Sequence, residues 1–178
     1  MKVISIKHNA DILMNTYQFH ETIKNEIVSK LEEGVPAISK DSSNVKATVH
    51  TIWDWEPDNI IFKNLKEHIS QEIDRHYKPG FIEENERRPL HCSNFWLNVY
   101  EKDDYAQMHH HLPYDYSFVY FVESYEKHPP LVFSDSGCEV PSVEGTYVAF
   151  PAYLNHSVNK NTTGRVRITL SGNYLEDF

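Results

Sequence analysis

The chain has 178 residues, a formal net charge of −9, and 40% hydrophobic and 13% aromatic residues. That length makes one domain of ordinary size, and the apolar share supports a sizeable core and argues against disorder. An acidic chain gains little by neutralising phosphates, which disfavours bulk nucleic-acid binding, and no apolar run approaches the ~20 residues that cross a bilayer. Cys92 and Cys138 stand in no metal-type spacing and read as reduced thiols. The opening segment has too short an apolar stretch for a signal peptide, so the expected placement is cytoplasmic. In that setting Asn161-Thr162-Thr163 reads as a turn, not as a glycosylation site.

Lys2 to Lys7 alternates apolar and polar residues and predicts a short strand. Residues 12–33 predict a helix, with Ile23, Ile27 and Leu31 on one face and Gly34 as its stop. Residues 46–55 predict a strand. Asp58 is placed to cap a second helix, whose apolar face is Phe62, Leu65, Ile69 and Ile73, and Pro79-Gly80 ends it. The charged stretch 82–90 reads as a loop. From Asn94 the period becomes two, with strands expected at 94–101, 105–111, 116–123, 130–134, 145–150, 155–159 and 165–174. Turn residues separate most of these segments.

The pattern predicts a mainly β fold with N-terminal helices (α+β). It is a double-stranded β-helix, or jelly roll, of about eight strands packed by two helices. The expectation is a single domain over 1–178, with 1–90 as its helical and strand part and 91–178 as the jelly-roll core. Folds of this kind enclose a pocket between two sheets, where inward side chains from facing strands meet.

Three segments carry side chains suited to chemistry in that pocket. On a strand through Gln107-Met-His-His-His, His109 and His111 share a face and His110 points away. Two imidazoles on one face suit a transition metal, although a polar cluster at a strand end or a surface metal trap would use the same letters. A second strand runs into Phe150-Pro151, turns, and delivers His156. Eleven residues later the strand Arg165-Val-Arg-Ile-Thr-Leu-Ser places Arg165, Arg167, Thr169 and Ser171 on one face. Burying such a face is costly unless an anion meets it, and an Arg fork with a Thr hydroxyl suits a carboxylate. The alternative is that this face is solvated. Asn98 and Tyr100 share a face in Phe95-Trp-Leu-Asn-Val-Tyr, and as buried groups would need partners.

Taken together, Trp96-Leu-Asn-Val-Tyr, His109-x-His111, Phe150-Pro-Ala-Tyr-Leu-Asn-His156 and Arg167-Ile-Thr to Asn173 resemble the Fe(II)/2-oxoglutarate-dependent oxygenases. The likeness is to a small, mostly uncharacterised branch of bacteria and tailed phages, and it spans about residues 94–174. It implies a dioxygenase that oxidises a substrate, in the manner of a hydroxylase, while releasing succinate and CO2. His109, His111 and His156 would hold Fe(II). Arg167 and Thr169, with Tyr100, would take the far carboxylate of 2-oxoglutarate, and Asn98 its metal-proximal end. O2 would be the other co-substrate.

The chain departs from the family at one position. His111 stands where the family usually has Asp or Glu, so an imidazole would replace the carboxylate that partly cancels the metal's charge. Asp115 is a substitute carboxylate at the wrong spacing, and His111 fills the room that halogenases of the family leave for halide. Two rival readings follow. One is a cupin-like three-His metalloprotein that does not use 2-oxoglutarate, holding zinc or acting as a dioxygenase. The other is a non-catalytic jelly-roll module with a binding or structural role, for instance in a phage. Trp53, Trp55, Tyr105, Tyr114, Tyr116 and Tyr120 could line a pocket mouth or belong to the core. The primary substrate is not legible, and a homodimer is the commonest closed assembly for such a chain.

Overall fold

The computed structural model describes residues 10–55, 57–76 and 89–176. The expected strand at Lys2–Lys7, the stop at Pro79-Gly80 and most of the 82–90 loop lie outside them. The elements in chain order are β1 (Leu13–Thr16), α1 (His20–Glu33), β2 (Val45–Lys46), β3 (Val49–His50), α2 (Ile60–His76), β4 (Leu90–Tyr100), β5 (Tyr105–His109), β6 (Tyr116–Glu123), β7 (Leu131–Phe133), β8 (Cys138–Val140), β9 (Thr146–Pro151), β10 (His156–Val158) and β11 (Arg167–Glu176).

Two sheets form. The larger has the order β1-β9-β6-β11-β4-β3 and the smaller β2-β5-β10-β7-β8. Pairings between named strands are antiparallel, and neighbours in each sheet are mostly distant in sequence. This is the expected jelly roll with two packing helices.

β4 and β11 are adjacent inner strands of the larger sheet and are covered on both faces. Even-numbered residues of β11, Ile168, Leu170 and Tyr174, face the helices, as do Leu97 and Val99 of β4. They pack with Ile23 and Ile27 of α1 and Phe62, Leu65, Ile69 and Ile73 of α2 in one core. Each helix presents its predicted apolar stripe, so the 3.6-residue period is satisfied against a sheet. Odd-numbered residues of β11 face the smaller sheet. There Tyr100, Phe121, Val148 and Phe150 meet Val45, Ala106, Leu131, Phe133 and Val158 in a second core. Gly172 is required between these layers: a Cβ there would lie 2.6 Å from the Phe118 ring and 2.7 Å from the Asn94 carbonyl oxygen.

Local chemistry adjusts several boundaries. The helix expected from residue 12 begins at His20, because Leu13–Thr16 instead extends the larger sheet beside β9. Gly34 ends it as expected, at φ +91 with its N–H on the Leu31 carbonyl. The second helix is capped by Asn59, whose Oδ1 accepts the Ile61 N–H at 2.8 Å, while Asp58 pairs with Lys63. The single strand expected at 46–55 is broken: β2 joins the smaller sheet and β3 the larger. Between them the buried Asp104 carboxylate accepts both the N–H and the hydroxyl of Thr48, each at 2.7 Å, and so pins the crossing. The final strand starts at Arg167, so Arg165 lies outside it, exposed and over the Tyr125 ring.

Candidate metal centre

His156 and His109 are direct partners across β10 and β5, so strand pairing alone sets their rings side by side. The ring centres are 4.4 Å apart. The expected strand 105–111 stops at His109, and His111 arrives by another route. Its N–H donates to the Ala152 carbonyl at 2.8 Å, which folds the chain back over the turn before His156. The His111 ring then stands 4.9 Å from that of His109 and 5.0 Å from that of His156. One ligand nitrogen from each of the three lies within 4.8 Å of the others. His110 is exposed, and its Nδ1 accepts the Leu112 N–H.

The hydrogen bonds of two rings fix how they present themselves. His109 Nδ1 lies 2.6 Å from the Gln107 carbonyl oxygen, and His156 Nδ1 lies 3.0 Å from that of Leu154. A carbonyl only accepts, so each Nδ1 carries the proton and each Nε2 keeps its lone pair. This is the outer hydrogen bonding that orients metal-ligating histidines. Burial keeps the rings neutral. It pushes His111 down to about 2, helped by repulsion from His156 and His109. Burial also takes His156 down to about 3, with His109 adding to the effect and the Leu154 carbonyl opposing it. His109 is lowered by burial as well. Three neutral, converging imidazoles are a donor set for a borderline transition metal, Zn(II) or Fe(II) among them.

A cavity between the sheets joins this cluster to Arg167. Its lining includes Trp96, Tyr100, His109, His111, His156, Arg167, Thr169 and Ser171, and it encloses about 380 Å³ free of atoms, mouth included. Among the described residues no carboxylate lines it. Asp115 is elsewhere: its Oδ2 accepts the Glu176 N–H at 2.9 Å.

Arg167 is 1% exposed. Its guanidinium carbon lies over the rings of Tyr100 and Phe121 at 5.0 and 5.4 Å. Nε donates to the Ser142 hydroxyl at 3.3 Å, and that hydroxyl donates in turn to the Pro129 carbonyl. Nη2 is buried without a partner. Burial lowers the pKa of Arg167, and the hydrogen-bonded Tyr100 opposes the shift. An arginine nonetheless stays charged in a protein. A fully buried guanidinium with no anion among the described residues is a costly arrangement that a bound anion would relieve.

The remaining expected residues stand one row away. Thr169 pairs with Asn98, and both side chains are buried on the same inner face as Arg167. Asn98 Nδ2 donates to Thr169 Oγ1 at 3.4 Å. Of the seven residues given roles by the resemblance, six line this one cavity, and Asn98 joins them through its hydrogen bond to Thr169. The structure adds two that sequence reasoning missed. Ser142 holds Arg167, and His50, opposite Asn98 in β3, lies 2.6 Å from its Oδ1 through Nδ1. Neither has a sequence signal, because each depends on pairing between distant segments.

No family model matches the sequence, and no curated protein matches it. Solved structures do. The viral collagen prolyl hydroxylase of Paramecium Bursaria Chlorella virus-1, as its 2OG complex, aligns with a TM-score of 0.67 at 10% identity over 92% of this chain and 94% of that one. A Pseudomonas putida prolyl-4-hydroxylase aligns at 0.67 and 14% identity, over 94% and 93%. HygX from Streptomyces hygroscopicus, with nickel and 2-oxoglutarate bound, aligns at 0.64 and 14% identity, over 95% and 84%. The chain has the fold of the 2-oxoglutarate/Fe(II) oxygenases. At these identities the likeness is one of fold, and the functional argument rests on the site.

Proposed function

We propose that this chain is an Fe(II)/2-oxoglutarate-dependent oxygenase whose metal is held by His109, His111 and His156. One observation carries the reading: the buried, unpartnered Nη2 of Arg167 lies in the lining of the same cavity as the three converging imidazoles. A metal cluster alone would suit many reactions. A cluster sharing a cavity with an uncompensated cation asks for a ligand that is both a chelator and an anion, and 2-oxoglutarate is both.

When bound, iron and O2 supply the oxidising chemistry, in which substrate, O2 and 2-oxoglutarate give oxidised substrate, succinate and CO2. The chain's own residues bind, orient and exclude. Arg167 takes the distal carboxylate, with Ser142 and Tyr100 fixing the plane of its fork. Thr169 adds a hydroxyl beside it, and Asn98 supports that hydroxyl through its own N–H on Thr169 Oγ1. The carbonyls of Gln107 and Leu154 keep two Nε2 lone pairs directed inward. Trp96, Phe121, Phe133 and Phe150 form an apolar surround that limits water and strengthens the charge interactions within it.

The three-His donor set also favours a second reading, a metalloprotein that does not use 2-oxoglutarate, as zinc with three histidines and a water would be. The two separate on succinate. Purified protein reconstituted anaerobically with Fe(II), then given 2-oxoglutarate and O2, is expected to release succinate slowly even without its primary substrate. Metal-dependent O2 consumption with no succinate would favour the second reading.

A further inference from the structure

His50 is 1% exposed, and among the described residues its Nε2 and Arg167 Nη2 are the two buried side-chain nitrogens or oxygens without a partner. Both belong to the inner face of the larger sheet. Strand pairing sets His50 opposite Asn98 and Asn98 opposite Thr169, so the three side chains form one row across the sheet. Arg167 stands in the next row, opposite Tyr100.

The hydrogen bonds along this row have a direction. His50 Nδ1 meets the oxygen of the Asn98 amide at 2.6 Å, so the ring donates from Nδ1. The other end of that amide donates to Thr169 Oγ1 at 3.4 Å. The Thr169 oxygen is thereby used as an acceptor, and its own O–H stays available to the cavity it lines. If His50 carried its proton on Nε2 instead, every bond would reverse. Asn98 would turn its N–H2 to His50, Thr169 would donate to Asn98, and only lone pairs would face the cavity. One direction welcomes a carboxylate beside Arg167 and the other repels it.

We propose that His50 is a positioning residue: through Asn98 it sets the polarity of a buried hydrogen-bond chain that ends in a donor hydroxyl at Thr169, and so selects a carboxylate at the Arg167 end of the cavity. The proposal rests on reading Arg167 as the carboxylate site. It assigns His50 no contact with the metal and no part in proton transfer. Its bare Nε2 is the mark of the tautomer that the chain requires.

The test has two arms. Fe(II)-loaded wild type, His50→Phe, His50→Asn, Thr169→Val and the His50→Phe/Thr169→Val double variant are titrated anaerobically with 2-oxoglutarate, and Fe(II) affinity is measured for each as a control on folding. His50→Phe removes the donor and is expected to weaken 2-oxoglutarate about tenfold, as is Thr169→Val, with Fe(II) affinity unchanged. His50→Asn keeps an N–H near the Nδ1 position and is expected to restore affinity to within about twofold of wild type. The double variant is expected to lose no more than either single one, because both break the same chain. Additive losses, or a His50→Asn as weak as His50→Phe, would overturn the proposal. The second arm needs no co-substrate: 15N NMR of the metal-free protein is expected to show His50 neutral, protonated at Nδ1 and bare at Nε2. A proton on Nε2 overturns the chain's polarity whatever the titration gives. Wild type that takes up no 2-oxoglutarate overturns the oxygenase reading, and the NMR result then still decides the direction of the chain.

Discussion

Arg167 sits among two aromatic rings and a serine hydroxyl, with no carboxylate in the cavity lining. Removing it should therefore have opposite effects on binding and on stability. Arg167→Met takes away a charge-assisted fork, and 2-oxoglutarate affinity is expected to fall by the equivalent of ~1.5–3 kcal/mol. The same change removes an uncompensated buried cation, so the ligand-free variant is expected to be as stable as wild type or more so. Thermal melts with and without 2-oxoglutarate check both halves. A ligand-free variant that melts several degrees lower, with affinity unchanged, would mark Arg167 as a structural residue. The histidines divide in a similar way. His109→Ala and His156→Ala are expected to abolish Fe(II) binding, because each removes one of three converging nitrogens. His110→Ala, an exposed ring, is expected to leave metal affinity within about threefold of wild type, a surface change having little reach.

Among the elements, the adjacent strands β4 and β11 carry the Arg167 end of the site on one face and the helices on the other. Gly172 shows how little slack lies between those layers. Gly172→Ala would drive a methyl into Phe118 and the Asn94 carbonyl, and a cost of ~1–3 kcal/mol is expected, read as a lower urea midpoint with an unchanged m-value. What the sequence showed of these elements follows their physics. The stripes of α1 and α2 and the alternation of β4, β6 and β11 were legible because period is a local property. The helix expected from residue 12 was not a helix at its start, because β9 offers Leu13–Thr16 a strand edge that no local pattern announces. His111 was expected to share a strand with His109. It reaches the cluster through a backbone hydrogen bond to Ala152, a contact across the fold. Arg165 was expected beside Arg167, but the strand begins two residues later and leaves it over Tyr125. Side chains that line the cavity themselves were readable as candidates. Those that stand against another site residue, Ser142 and His50, were not, since only contacts between distant segments put them in place.

For the molecule as a whole, the site carries an electrostatic cost that pH exposes. His111 and His156 are held near 2 and 3, chiefly by burial, well below the free-imidazole value of ~6.5. Below that pH the unfolded chain takes up protons that the folded one refuses. Stability of the metal-free protein is thus expected to fall as pH drops through 6.5, by up to about 1.4 kcal/mol per pH unit for each such ring. Urea midpoints between pH 7.5 and 5.5 isolate the histidines, since ordinary carboxylates stay ionised there, and His111→Asn is expected to flatten the slope. A midpoint independent of pH in that window would mean that the rings are not buried as described. No helix among the described residues is long and apolar enough to cross a membrane. The central claim is that the three-histidine cluster and Arg167 serve one ligand, and an anaerobic titration of metal-stripped protein with Fe(II) and then 2-oxoglutarate tests it most directly. A visible charge-transfer band is predicted only when both are present, lost in Arg167→Met at the same 2-oxoglutarate concentration and fading with succinate release when O2 is admitted; Fe(II) that binds tightly while 2-oxoglutarate produces no band would contradict it.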